Sequence, residues 1–357
     1  MDDLSQVDRE PLSGRRDTHG RVLYLRVGRG EHTEWSHPRI SGDLLARARE
    51  RRSALIRDRV DEVTAEVLPA LARGDIRAIL LKGPAIAGWL YERDERRYAD
   101  SDLLVAPADL EPAGRVLEGL GFECTFDERD FLADSHAQMW SRPRSPEVDL
   151  HWRLPGVHAE SADAWRVLSA GTERLAIGAV DVETLDAARR ALHVALHAAY
   201  HQRGGTNAQR DLETALERLP RDVWVECAAL ARRLEAEAAV GAGLRVIPRG
   251  AALADELGLT REGEGYWALA GGRADPGAHG VNRVMSAGSP IRALGVLARE
   301  LFPPASYIRA VAPRHDIGTG SLASAYARRL FRGLRNAPRA IRTALRARRR
   351  VSAAPPP

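Results

Sequence analysis

Lysine is all but missing from this chain. Lys82 is the single one, and every other position among the 53 lysines plus arginines is arginine. An arginine excess beside abundant Ala, Gly and Pro fits a GC-rich coding bias, which accounts for arginine in general and leaves Lys82 unexplained. Lysine is a compact point charge on a thin stem, whereas arginine is a wide planar fork. Cysteine is nearly missing too. Two residues, Cys124 and Cys227, make neither a disulfide framework nor a zinc knuckle. No apolar run approaches the roughly 20 residues a spanning helix needs, so no transmembrane segment is expected. The opening MDDLSQVDREPLSGRRDTHG is polar and lacks the apolar stretch of a secretion signal. The expectation is a cytoplasmic protein with reduced thiols.

Acidic residues vanish from one stretch. Residues 321–350 hold ten arginines and no Asp or Glu, and setting those ten aside turns the formal +4 of the whole chain into −6 for the rest. Arg328, Arg329, Arg332, Arg335, Arg339, Arg342 and Arg346 recur at steps of three or four, with Leu330, Leu334, Ile341 and Leu345 among them. This is a basic amphipathic helix, interrupted or restarted at Pro338. It suits an anionic membrane surface, nucleic acid, or docking on the acidic remainder of the chain. Docking is slightly favoured. With only Tyr326 and Phe331 as aromatics, sequence-specific reading of nucleic acid has no support.

The pattern along the chain predicts an α+β protein: a small mixed β-sheet with flanking helices, followed by a mostly helical C-terminal region. Residues 1–34 lack periodicity and read as partly disordered. An α/β domain is expected over 35–184. It opens with a helix from about Ser41 to Arg73 and continues with a buried strand from Ile76 to Leu81. A short helix begins at Pro84, a position proline suits. Strands follow at DSDLLVA, PEVDLHWRL and GAVDVETLD, with a helix closed by Gly121 between the first two. A helical domain is expected over 185–265, a Gly-rich loop over 266–290, a basic helical region over 291–350 and a tail over 351–357.

The chemistry concentrates in AILLKGPAIAGWLYERDERRYADSDLLV. Asp100 and Asp102 flank one serine on a predicted strand, so both point to the same face. Two adjacent carboxylates repel unless a cation lies between them, and hard divalent ions such as Mg²⁺ take such oxygen ligands. Asp149, in VDLHW, is a third acid on a neighbouring predicted strand. Three carboxylates on adjacent strands can hold two metal ions for phosphoryl or nucleotidyl transfer. A lone D-x-D is weak, since acids near strand ends are commonly solvated. Strand–Lys82–Gly83–helix adds backbone N–H groups and a helix start that would face an anion.

LLKGPAIAGWLY, a following arginine, DSDLLV and VDLHW together resemble an uncharacterised nucleotidyltransferase-like family of the DNA polymerase β superfamily. The likeness continues through LHVALHAAYH and RDLETAL to the ELFPPASYIRA…YARRLFR segment, spanning roughly Leu44 to Arg346. The resemblance implies a nucleotidyltransferase core, with Asp100 and Asp102 as ligands of two Mg²⁺ ions, and Asp149 as third ligand and base for an acceptor hydroxyl. It implies that Gly83 gives backbone contact to the triphosphate of an NTP substrate. Lys82 would partner a phosphate or a carboxylate, or point into the fold. Arg96 would brace the carboxylates or the phosphates, with Arg97 the competing candidate. One position departs from the superfamily: Pro84 follows the turn glycine where Ser or Gly is usual, and proline has no N–H to donate.

His193, His197 and His201 share one face of the next helix. They pack against the transferase domain, hold a zinc ion, or, for His197 and His201, face the acceptor. Packing is the expectation, because no acid completes a metal motif in that helix. Asp211 reads as a helix cap, with a place in the cleft as the other option. The predicted activity is Mg²⁺-dependent transfer of a nucleotidyl group from an NTP to an unknown hydroxyl acceptor, releasing pyrophosphate. The alternatives are a non-catalytic nucleotide- or partner-binding scaffold in a biosynthetic assembly and, more weakly, a hydrolase using the histidine helix.

Overall fold

A computed structural model describes residues 14–16, 22–24, 42–92, 95–127, 129, 135–201, 207–261, 267, 276–285, 287, 289–305, 308 and 321–352. The chain divides into compact units at Met1–Ser53 and Ala54–Pro357. In the first, β1 (Gly14–Arg16) pairs antiparallel with β2 (Val22–Tyr24). The other residues of the segment read as partly disordered, 1–34, lie outside the described residues.

Helix α1 (Gly42–Arg73) matches the periodic stretch read from sequence. Within it Thr64 returns its hydroxyl to the Val60 carbonyl at 2.8 Å. Then come β3 (Ala78–Leu80), α2 (Pro84–Leu90), β4 (Asp100–Val105), α3 (Leu110–Gly119), β5 (Glu123–Asp127), β6 (Ala137–Ser141) and β7 (Glu147–His151). Next are α4 (Ser161–Ser169), β8 (Thr172–Ile177) and β9 (Val180–Leu185). The seven strands from β3 onward form one mixed sheet in the order β5-β6-β7-β4-β3-β9-β8. It is larger than the sequence suggested, because β5, β6 and β8 escaped the pattern. β5 exposes most of its side chains and so shows no clean alternation. β8 and β9 are the arms of a hairpin, which Gly178 turns at φ +59°.

Strand alternation gives the sheet two apolar faces. Leu80, Leu103, Val105, Val148 and Leu150 cluster with Val67 and Leu71 of α1 and Leu117 of α3. Ile79, Leu81 and Leu104 point the other way, into a cluster with Ala191, Leu192 and Ala195 of α5 (Ala187–Tyr200). Asp186 caps α5 by accepting the Arg189 N–H at 2.9 Å. The same cluster runs on through α6 (Asn207–Arg218), α7 (Arg221–Arg233), α8 (Glu237–Leu244) and α9 (Pro248–Glu256). These helices therefore share a core with the sheet. A side chain at Gly243 would collide with the Ala195 carbonyl, so α8 lies directly against α5.

The C-terminal region holds α10 (Pro276–Met285), α11 (Pro290–Leu301) and α12 (Leu322–Ser352). Two expectations change here. Part of the segment read as a Gly-rich loop, 266–290, is helix α10, which buries Ala278 against Ala340 and Ala344 of α12. Tertiary packing overrides the weak helix propensity of its glycines. Pro338 does not interrupt α12 either. It sits on an exposed side of the helix, where water can serve the freed carbonyl of the preceding turn. Residues 315–320 of the Gly-rich break before α12 and 353–357 of the tail lie outside the described residues.

Candidate functional site

The site lies on the α5 face of the sheet, where β3, β4 and β7 lie side by side. β4 and β7 are parallel, and their register sets Asp102 beside Asp149. Alternation places Asp100 on the same face as Asp102, while Ser101 between them turns to α1 and meets the Thr64 hydroxyl at 2.9 Å. β3 runs antiparallel to β4, and the Leu81 N–H donates to the Asp102 carbonyl at 2.9 Å. That pairing delivers the next residue, Lys82, whose Nζ lies 2.5 Å from Asp102 Oδ1. The lone lysine of the chain is thus the carboxylate's partner, with 23% of its side chain still exposed.

Sequence reasoning missed His151. Its Nε2 lies 3.1 Å from the same Asp102 Oδ1. The signal was available: His151 stands two residues after Asp149 on one strand, so it shares that face. His136 stacks on it with ring centroids 5.6 Å apart. Asp102 Oδ2, Asp149 Oδ1 and His151 Nδ1 are buried without hydrogen-bond partners among the described residues. Asp102, Asp149 and His151 each offer a ligand atom, all within 4.8 Å of one another, so the trio can hold a metal ion. Unsatisfied buried oxygens are the donors a hard cation takes. Asp100 is outside this trio but within coulombic reach of Lys82.

The charges set the protonation states. Burial opposes ionisation of Asp102, but Lys82 and His151 overcome it and hold its carboxyl well below the usual range. Asp149 has no such partner. Burial, then Asp102 and Asp100, push it up to about 8. Asp100 moves up for the same reasons, with Lys82 opposing. Burial disfavours the Lys82 ammonium, yet the three carboxylates raise its pKa overall.

Gly83 turns the chain from β3 into α2 at φ +60° and ψ −121°, a conformation a side chain resists. Pro84 is the first residue of α2, and the N–H after it, from Ala85, donates to the Lys82 carbonyl at 3.2 Å. At this turn Pro84 has no donor and the Ala85 N–H is engaged.

Two expectations are corrected. Arg96 makes no direct contact with the site carboxylates among the described residues, and only its charge reaches Asp100. Its Nε and Nη2 donate to Asp211 Oδ1 and Oδ2, each at 2.8 Å, in a buried pair. Asp211 in turn is not a cap. It lies inside α6, and it also accepts the Tyr91 hydroxyl at 2.8 Å. Asn207 and Arg210 of α6 donate to the carbonyls of Arg97 and Glu95, so this helix clamps the chain leading into β4. Breaking such a pair from one side costs about 3–5 kcal/mol. The acid fell in the helix interior because its partner arrives from a distant segment, which local spacing does not reveal.

Of the α5 histidines, His193 is buried and hydrogen-bonds the backbone of Leu81. Burial, then the Lys82 charge, lower it to about 3 and take His197 well below its ordinary value. His201 closes the helix and its ring meets that of His197 edge-on at 4.7 Å. Among the described residues these histidines join no group of three metal donors; His193 is buried as the packing reading expects, His197 is half-buried and His201 is exposed.

A family model described as an uncharacterised nucleotidyltransferase matches residues 36–249. The chain belongs to this nucleotidyltransferase family. No match is found among curated proteins. Two solved structures are similar to about half of the chain. One is the antibiotic-resistance factor ANT(2'')-Ia in solution, at 16% identity, covering 49% of this chain and 93% of its own, with a TM-score of 0.37. The other is an antigenic nucleotidyltransferase-like protein from Paracoccidioides brasiliensis, at 17% identity, covering 51% and 92%, with a TM-score of 0.32. In this family member, Asp100, Asp102 and Asp149 share one face of the sheet as the sequence led one to expect, with His151 added to them.

Proposed function

We propose that the protein transfers a nucleotidyl group from an NTP to a hydroxyl acceptor, with Mg²⁺, releasing pyrophosphate. The observation that carries this is the parallel register that sets Asp102 against Asp149 with an unpartnered buried oxygen on each. Family membership supports the reaction class.

Asp102 and Asp149 would be the principal metal ligands, with Asp100 adding charge at the rim and His151 holding Asp102 in place. Divalent ions bound there supply charge neutralisation for the triphosphate and for the departing pyrophosphate. Lys82 keeps Asp102 ionised and, through its exposed part, is the cation nearest to an arriving phosphate. With no ion bound, burial and the neighbouring acids push Asp149 up to about 8. Once a cation has displaced that proton, the carboxylate would be the group beside the attacking hydroxyl to take its proton. His197 and His201 would line the approach from α5 and meet the acceptor in neutral form.

A second reading has its own observation. Pro84 without an N–H, and the Ala85 N–H already given to Lys82, favour a non-catalytic nucleotide- or partner-binding protein on the same fold. Pyrophosphate release from labelled NTPs, screened against hydroxyl acceptors, separates the two. Release that needs Mg²⁺ and falls on the order of a thousandfold in Asp149→Asn supports transfer. Nucleotide binding with no release from any NTP supports the scaffold.

A further inference from the structure

Eight of the twelve exposed large hydrophobic residues among those described lie between Ile291 and Leu345. They are not scattered. On α12, Phe331, Leu334, Ile341 and Leu345 are 68%, 72%, 44% and 38% exposed. At the angular step of an α-helix they fall within an arc of about 80°. Arg328, Arg332, Arg335, Arg339, Arg342 and Arg346 fill a neighbouring arc of similar width. A third arc, with Ala325, Ala340 and Ala344, is buried, and the last two pack on Ala278 of α10. The helix is therefore held to the protein by its small residues while its apolar and cationic stripes face outward.

Docking on the acidic remainder, slightly favoured from sequence, finds no ion pair for these six arginines among the described residues. There α12 is held by apolar packing of Ala325, Ala340 and Ala344, with Leu322 and Tyr326 against Ile308, and by hydrogen bonds. Tyr326 donates to the Pro303 carbonyl, and Arg329 to the Glu300 carbonyl at 3.0 Å. α11 repeats the design, exposing Ile291, Leu294 and Leu297 beside Arg292 and Arg299.

We propose that α12 lies flat on an anionic phospholipid surface, with its apolar stripe in the acyl boundary and its arginines on lipid phosphates. Each stripe alone fits other partners; their adjacency fits a bilayer interface. A nucleic-acid backbone would satisfy the arginines but leave four large apolar side chains in water. A protein groove would take the apolar stripe but needs a dense acidic rim to match six guanidinium groups. An open groove of about 410 Å³ sits where the stripes meet, lined by Ala327, Arg328, Phe331, Arg332 and Arg335. The helix lies on the membrane rather than across it, since no helix among the described residues is long and apolar enough to span.

The test is flotation of the full chain with vesicles of phosphatidylcholine alone or mixed with phosphatidylglycerol, over a salt series. The expected result is binding to the mixed vesicles only, lost at high salt. Phe331→Asp with Leu334→Asp should abolish it. Arg332→Gln with Arg335→Gln should weaken it on the order of tenfold and flatten its salt dependence. Ile341→Asp, at a separate exposed position, guards against misfolding of the first variant, and circular dichroism checks all of them. The proposal is overturned if mixed vesicles do not float the wild type, if the aspartate variants float equally well, or if duplex DNA or RNA competes the protein off the vesicles through the apolar-stripe residues.

Discussion

On one side of Lys82 stand the carboxylates of β4 and β7; on the other is the turn through Gly83 and Pro84 into α2. The first region is built by long-range order. Sheet register puts Asp102 beside Asp149, alternation adds Asp100 and His151, and burial leaves two carboxylate oxygens without partners. The second is built by local chemistry, and two of its positions offer no donor: Pro84 has none, and the Ala85 N–H closes on the Lys82 carbonyl. A nucleotide at this site would be held mainly through cations on the acids, with little help from the backbone of the turn. The lone lysine belongs to both regions. Its backbone carbonyl closes the turn and its ammonium serves the acids.

The contrast can be broken at several points. The largest effect should come from pH. Asp149 sits at about 8 with no ion bound, so Mn²⁺ must displace a proton to bind below that value. Affinity for Mn²⁺ should rise about tenfold per pH unit up to roughly pH 8 and then level, with one proton released per ion, as calorimetry in buffers of different ionisation enthalpy would show. The same raised carboxyl makes the folded state bind more protons than the unfolded one between 3.8 and about 8. Its contribution to stability is therefore present at low pH and lost as pH rises through 8. A pH-independent Mn²⁺ affinity would remove Asp149 from the site.

Next in size is His151→Asn. It leaves Asp102 with Lys82 alone, and Mn²⁺ affinity should fall about 10–100-fold while the melting temperature moves little. Gly83→Ala should act on stability instead. An alanine at φ +60° and ψ −121° costs on the order of 1–3 kcal/mol, read as a lower melting temperature with Mn²⁺ affinity retained. The smallest effect should be that of Pro84→Ala. If the turn is not a phosphate seat, restoring an N–H changes nucleotide affinity by less than the roughly fivefold worth of one hydrogen bond. A large gain would show that the turn is a phosphate cradle lacking one donor.

How much of this was legible depended on the range of the interaction that decides it. Asp100, Asp102 and Asp149 were readable because strand alternation is a two-residue rule and their strands are apolar enough to recognise. His151 obeys the same rule, but a single histidine on an apolar strand carries no metal signature until sheet register brings Asp102 beside it. Arg96 was found, but its partner was not: the pair with Asp211 closes across 115 positions of chain, and no spacing encodes it. α10 was hidden by its Gly and Pro content, and its helix is decided by packing on α12. Pro338 suggested a break, and the helix instead continues through it with the proline on its exposed side.

The account rests on the acids binding the nucleotide through divalent cations, and calorimetric titration of ATP and GTP into the full chain, with and without Mg²⁺, tests it directly. Wild type should bind at least one of them with Mg²⁺ and weaken on the order of a hundredfold without it, and Asp102→Asn should bind weakly in both conditions. Equal nucleotide affinity with and without Mg²⁺, or an Asp102→Asn variant that keeps the Mg²⁺ dependence, would contradict it.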